Sequence, residues 1–118
     1  ESVDYDAIKS SLGDTYNYTQ LSGNNRYETS VRVAEFELEN GMSADNMVVA
    51  SGTNFPDALT GSALCGQNGS VLVLENGSNK YPIDNFISAN SDSVNSGYIL
   101  GGSSAVSDEI LVLCELAI

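Results

Sequence analysis

Three segments carry the residues of this chain that could do chemistry. They are Arg26-Tyr27-Glu28-Thr29-Ser30, Ser51-Gly52-Thr53-Asn54-Phe55-Pro56-Asp57-Ala58-Leu59 and Leu100-Gly101-Gly102-Ser103-Ser104-Ala105-Val106-Ser107. Each marks a point where an extended apolar run, or the loop after one, gives way to a helical pattern. An arginine at such a junction can bind an anionic sugar, helped by the N–H groups of the helix start. Arg26 can equally pair with Asp57, because both fall at strand-to-helix junctions on the same edge of a parallel sheet, and an Arg–carboxylate pair suits a partly buried bidentate geometry. Asp57 with Glu28 can also be read as a glycosidase-type carboxylate pair, which requires a defined separation across a sugar ring. The bland reading of a first-turn acid is that it complements the helix dipole. Tyr16, Tyr18, Tyr27, Tyr81 and Tyr98 can stack on sugars or cover core edges. Gly101-Gly102 lacks both the G-x-G-x-x-G pattern and the Walker lysine, so a tight strand-to-helix turn explains it.

The composition removes whole classes of function. The chain has no histidine, so neither a Ser-His-Asp system nor a His-containing zinc site can be built from it. Two cysteines, Cys65 and Cys114, fall short of a four-thiolate site; they read either as one disulfide or as two buried thiols, and both lie in apolar helical patterns. No metal site and no cofactor are expected. Sixteen acids against four bases give a net charge of -12, which repels nucleic acid and anionic membrane. A length of 118 residues suits one domain, and 42% hydrophobic with 17% charged residues suits a folded one. These residues carry no signal-peptide pattern and no apolar run of transmembrane length, and any export signal is expected upstream of them. Because the chain begins at Glu1 without Met, it reads as a piece of a larger or processed protein.

The elements that must position these segments alternate. Residues 4–12 form a helix stopped by Gly13, and Tyr16 to Leu21 reads as a strand. A helix follows Ser22-Gly23-Asn24-Asn25, with Tyr27, Val31, Ala34 and Leu38 on one face, widened by Val33 and Phe36. Glu35, Glu37 and Glu39 are expected towards water. Met47-Val48-Val49-Ala50 and Val71-Leu72-Val73-Leu74 are continuous apolar runs of the kind buried on both faces. Pro56 suits a helix start, with Leu59, Ala63 and Leu64 expected inward. A helix after Pro82 would bury Ile83, Phe86 and Ile87. Tyr98-Ile99-Leu100 is a last strand, and a last helix begins around Ser104 to Ser107, with Ile110, Leu113 and Ala117 sharing a face. The predicted fold class is α/β: a three-layer α/β/α sandwich, Rossmann-like or flavodoxin-like, with a parallel sheet of about four strands.

The order and spacing of the three segments resemble the type 2 cell wall binding repeat of Gram-positive surface proteins. That family has a glycine turn before R-Y-x-T-A, and here Ser22-Gly23 precedes Arg26-Tyr27-Glu28-Thr29-Ser30, with Ser30 in place of Ala. Its G-x-x-F-A-D-A-L stands here as Gly52-Thr53-Asn54-Phe55-Pro56-Asp57-Ala58-Leu59, with Pro56 in place of Ala. Its I-L-G-G stands as Ile99-Leu100-Gly101-Gly102. Where the family carries a P-I-L-L strand linked to polymer binding, this chain has Val71-Leu72-Val73-Leu74. The resemblance covers roughly Leu21 to Leu113.

The resemblance implies a non-catalytic anchor. The whole chain, 1–118 with a core of about 16–116, would be one repeat unit excised from a tandem array. It would sit outside the cell at the wall and bind an anionic secondary wall polysaccharide, with neighbouring copies arranged as a pseudo-trimer. The polymer-binding residues expected on that basis are Arg26, Tyr27, Asp57, Val71 and Leu72. The alternatives are a structural spacer or adhesion domain without polymer binding, and a carboxylate-dependent sugar hydrolase.

Overall fold

The computed structural model describes residues 4–13, 17–53, 55–76, 81–102 and 106. Helix α1 (Tyr5–Leu12) is capped by Asp4, whose side chain accepts the Ala7 N–H, and ends at Gly13 with φ +78°. It buries none of its residues. Helix α2 (Arg26–Glu39) leads to strand β1 (Ser43–Ser51), helix α3 (Phe55–Asn68), strand β2 (Ser70–Glu75), helix α4 (Tyr81–Asn90), a 3₁₀ turn (Ser91–Ser93) and strand β3 (Ser96–Leu100).

The described sheet is parallel, has three strands and runs in the order β2-β1-β3. Val48 is level with Leu72 on one side and Tyr98 on the other, and Val49 with Val73 and Ile99. Because side chains alternate along strands, Val48, Ala50, Leu72 and Leu100 share one face, while Met47, Val49, Val71 and Val73 share the other. Helix α3 covers the first face. The second packs with Ala34 of α2 and Ile83, Phe86 and Ile87 of α4 in the main core, which Val106 also joins. This is the expected α/β sandwich, with three described strands instead of about four. The inward set of α4 is as the sequence predicts.

Several expectations are corrected. Residues 17–21 form no strand, because Asn17, Thr19 and Gln20 are exposed and the segment offers no apolar face to a sheet. Tyr18 instead binds α1: its hydroxyl donates to the Gly13 carbonyl at 2.8 Å, and its ring meets Tyr5 edge-on at 6.5 Å. The inward face of α3 is also turned from that predicted. Leu59 is 60% exposed and Ala63 is exposed, whereas Gly61 and Cys65 are buried. The reason is steric. A Cβ on Gly61 would lie 2.7 Å from Leu100 Cδ1 and 2.9 Å from Leu72 Cδ1, so this side chain-free position is where the helix can approach the sheet. On α2, Phe36 faces water and Glu37 is half-buried, the reverse of their expected placement. The predicted last helix lies outside the described residues, apart from Val106.

Strand β2 is at an edge of the described sheet, and α2 seals part of it. The Leu74 N–H donates to Ser30 Oγ at 3.0 Å, and the same hydroxyl donates to the Tyr27 carbonyl at 2.7 Å. Ser30 thereby supplies an edge amide with the acceptor that a further strand would have provided. Ser30→Ala is expected to cost about 1–2 kcal/mol by leaving that partly buried donor without its partner. Urea unfolding should show a lower midpoint at unchanged m-value; an unchanged midpoint would show that the serine is dispensable.

Candidate functional site

The site lies at the carboxyl ends of the strands, where parallel sheets place their ligand crevices. Strand β1 ends at Ser51, fully buried, and continues into Gly52 and Thr53. Ser51 Oγ lies 2.8 Å from Thr53 Oγ1 and accepts the Thr53 N–H at 3.2 Å, which turns the chain sharply out of the sheet. Beside it β2 ends at Glu75, 1% exposed, whose carbonyl accepts the Gly52 N–H at 2.8 Å.

Helix α2 is brought to this edge by Arg26 and Tyr27. Arg26 donates from Nη1 to the Gly52 carbonyl at 2.8 Å. The Tyr27 ring lies so close to Gly52 that a Cβ there would sit 2.4 Å from Tyr27 Cε1. The expected Arg26–Asp57 ion pair is not formed. Asp57 is half-buried in the first turn of α3, and among the described residues the one ion pair is Arg32–Glu35 at 3.5 Å on the surface of α2. Arg26 therefore recognises a backbone carbonyl, not a carboxylate, and keeps its remaining N–H donors for another partner.

The start of α2 is itself closed to anions. Asn25 Oδ1 accepts the N–H groups of Tyr27 and Glu28 at 3.0 and 2.9 Å, and the Asn25 carbonyl accepts that of Thr29 at 3.0 Å. Glu28 Oε2 accepts the Asn24 N–H at 2.6 Å, completing a reciprocal cap. The helix N–H groups expected to assist Arg26 are thus already taken. Glu28 is also committed to the cap instead of being paired with Asp57. What remains is a groove of about 600 Å³ lined by Gly23, Asn24, Asn25, Arg26, Thr29, Ser30 and Leu74.

The two strand residues named from the sequence are placed differently from each other. Val71 has no exposed surface and packs in the main core, so its side chain offers nothing to a partner. This inner-face position on β2 is spent on the sheet–helix interface. Leu72 is half-buried and lines a second groove, about 350 Å³, with Ser30, Val33, Glu37, Met42 and Cys65 among its walls. There burial, and then the nearby Glu37 carboxylate, push the Cys65 thiol above its ordinary value, and burial pushes Glu37 up as well. Cys65 is buried, as favoured from its apolar surroundings; Cys114 lies outside the described residues. Among the described residues no cluster of three or more acids and thiols could hold a metal, and no helix is long and apolar enough to cross a membrane. Asn25, which caps α2 and lines the groove, is a residue that the sequence reading does not single out, although an Asn before a helix is a visible signal.

Two outcomes follow from this geometry. Gly52→Ala is expected to cost about 1–3 kcal/mol, because the methyl group must displace the Tyr27 ring; unfolding by urea measures it, and an unaffected midpoint would mean that the ring moves freely. Glu37 and Cys65 both have raised pKa values, so each contributes stability that is present below its ordinary value and lost as pH rises through the raised one. Glu37→Gln stays neutral and is expected to stabilise the domain at neutral pH. It also removes the charge opposing the thiolate, so alkylation of Cys65 in the folded chain should be faster in mildly alkaline buffer. Peptide-resolved labelling that is unchanged in this variant would separate the two groups.

No curated protein matches this chain with significance. No solved structure matches it with significance either. A family model does: the one described as cell wall binding domain 2 spans residues 20–111, from just before the Ser22-Gly23 turn to beyond the Gly101-Gly102 turn. That span contains α2, the three strands, α3, α4 and every residue of the groove at Arg26. The chain belongs to the cell wall binding domain 2 family.

Proposed function

We propose that this domain anchors the protein that carries it to the outside of a Gram-positive cell wall, by binding an anionic secondary wall polymer without covalent attachment or catalysis. Family membership supports wall binding in general, and a wall-associated location with it. The observation that carries the finer reading is the state of the cations. Of the three described ones, Lys9 lies over the Tyr5 and Tyr18 rings at 5.7 and 6.0 Å, and Arg32 pairs with Glu35. Arg26, alone among the described cations, lines a groove, with one donor fixed on Gly52 and the rest of its fork available. A guanidinium held at one corner is pre-organised for a phosphate or carboxylate on a chain of sugars. Asn24, Asn25 and Thr29 beside it supply neutral polar groups suited to sugar hydroxyls.

With a net charge of -12, one domain approaches a polyanion against repulsion. Binding by a single unit is therefore weak, and neighbouring copies of the repeat, arranged as a pseudo-trimer, raise it by multivalency. Burial of Val71 favours a second reading, in which the domain keeps the fold as a spacer and does not touch polymer.

A pull-down on purified Gram-positive walls, before and after acid extraction of the secondary polymer, separates the two readings. The single domain, a three-repeat chain and their Arg26→Gln variants would be compared, with Arg32→Gln as a surface control. The expected result is polymer-dependent binding that is strongest for three repeats, reduced about tenfold by Arg26→Gln, the loss of one charge-assisted contact, and untouched by Arg32→Gln. Failure of both parent chains to bind would establish the spacer reading. Full binding by a folded Arg26→Gln chain would remove Arg26 from the site.

A further inference from the structure

The turn that closes α2 holds an Asn-Gly pair with chemistry of its own. Asn40 is the C-cap of α2 and is exposed, and its Nδ2 donates to the Phe36 carbonyl at 2.8 Å. Gly41 follows, exposed, with φ +97° and nothing within 4 Å of where a Cβ would stand. The chain has two further Asn-Gly pairs, at 68–69 and 76–77, and Gly77 lies outside the described residues. Asn68 is exposed like Asn40, but Gly69 is half-buried and its carbonyl accepts the Ser43 N–H at 2.8 Å, tying the backbone after Asn68 to the start of β1. Asn76 is half-buried at the end of β2.

We infer that Asn40–Gly41 is a self-modification site: spontaneous deamidation there converts the neutral cap of α2 into a negative one and loosens the turn that lines the Cys65 groove. In the first step the Gly41 backbone nitrogen attacks Asn40 Cγ and gives up its proton. An N–Cγ bond forms, the Cγ–Nδ2 bond breaks, and Nδ2 leaves as ammonia carrying that proton. The glycine matters because no side chain obstructs the approach of its nitrogen. Water then opens the five-membered imide at either carbonyl, leaving aspartate or isoaspartate at position 40. The balance is asparagine plus water giving the acid plus ammonia, with no oxidant or reductant.

The consequences follow from what the amide was doing. Its Nδ2 donor to Phe36 is lost, and a carboxylate takes its place at the carbonyl end of the helix, where the dipole disfavours negative charge. Glu37 and Glu39 on the same turn add to the repulsion. That turn forms part of the groove wall: the Glu37 carbonyl accepts the Met42 N–H at 3.0 Å, and Glu37 and Met42 line the groove with Cys65.

The test incubates the folded chain at physiological temperature beside a sample in urea, then reads positions 40, 68 and 76 by Glu-specific digestion and fragmentation mass spectrometry. The expected result is a gain of one mass unit at Asn40 ahead of Asn68 and Asn76 in the folded chain, with isoaspartate detected by enzymatic carboxyl methylation, and modification at all three pairs in urea. Asn40→Asp should label Cys65 several-fold faster than the parent chain. The site is overturned if Asn68 or Asn76 leads in the folded chain, or if Asn40 keeps its mass while the urea sample gains it. Equal Cys65 labelling in the parent and Asn40→Asp chains overturns the coupling to the groove.

Discussion

Gly52 joins three elements through three different groups. Its carbonyl takes the Arg26 guanidinium, its N–H donates to the Glu75 carbonyl, and the hydrogen in place of a side chain leaves room for the Tyr27 ring. The start of α2, the end of β1 and the end of β2 are thus fixed relative to one another at one residue. Without that junction the Arg26 side chain would have several rotatable bonds and no preferred direction, and the groove beside it would have no constant shape. The entropy of positioning the arginine is spent on folding, so less remains to be lost when a ligand binds.

The same junction explains which parts of the molecule were legible in the sequence. Met47–Ala50 and Val71–Leu74 read as strands because a strand covered on both faces needs no polar alternation; Met47–Ala50 is buried in that way, while Leu72 and Leu74 on the outer face of β2 are half-buried. Ile83, Phe86 and Ile87 were legible because α4 lays a regular stripe on the sheet. Helix α3 was read in the wrong phase because its contact face is built on Gly61 and Cys65, and a glycine carries no weight in a search for apolar periodicity. Tyr16 to Leu21 had aromatic alternation but no second apolar partner, and Tyr18 was drawn to the end of α1 by its hydroxyl. Composition favours a strand there; only the tertiary partner decides otherwise.

The candidate site shows a similar division. Arg26 and Tyr27 are expected from the R-Y-x-T-A resemblance, and the structure places both against Gly52. The partner of Arg26 was not legible, because a backbone carbonyl has no letter in the sequence, whereas Asp57 was an obvious acid at a matching junction. Val71 was assigned by its place in a pattern. Its burial depends on which face of the sheet α2 and α4 cover, and that is settled by the connections between elements, not by the strand itself.

Charge sets the last constraint on how such a domain can work. Sixteen acids spread a negative field over the surface, which salt screens beyond about 10 Å in ordinary buffer. Within that distance a ligand meets individual groups: Arg26 and the neutral Asn24, Asn25 and Thr29 line the groove, with the Glu28 carboxylate held on the Asn24 N–H beside them. Long-range repulsion and short-range attraction therefore act together on any anionic polymer, making each contact weak and sensitive to salt. In the proposed role, a weak contact of this kind would hold a surface protein only when several act at once on one polymer, since effective concentration multiplies what single affinities cannot supply. An anchor built this way can release and rebind locally while the protein as a whole stays attached.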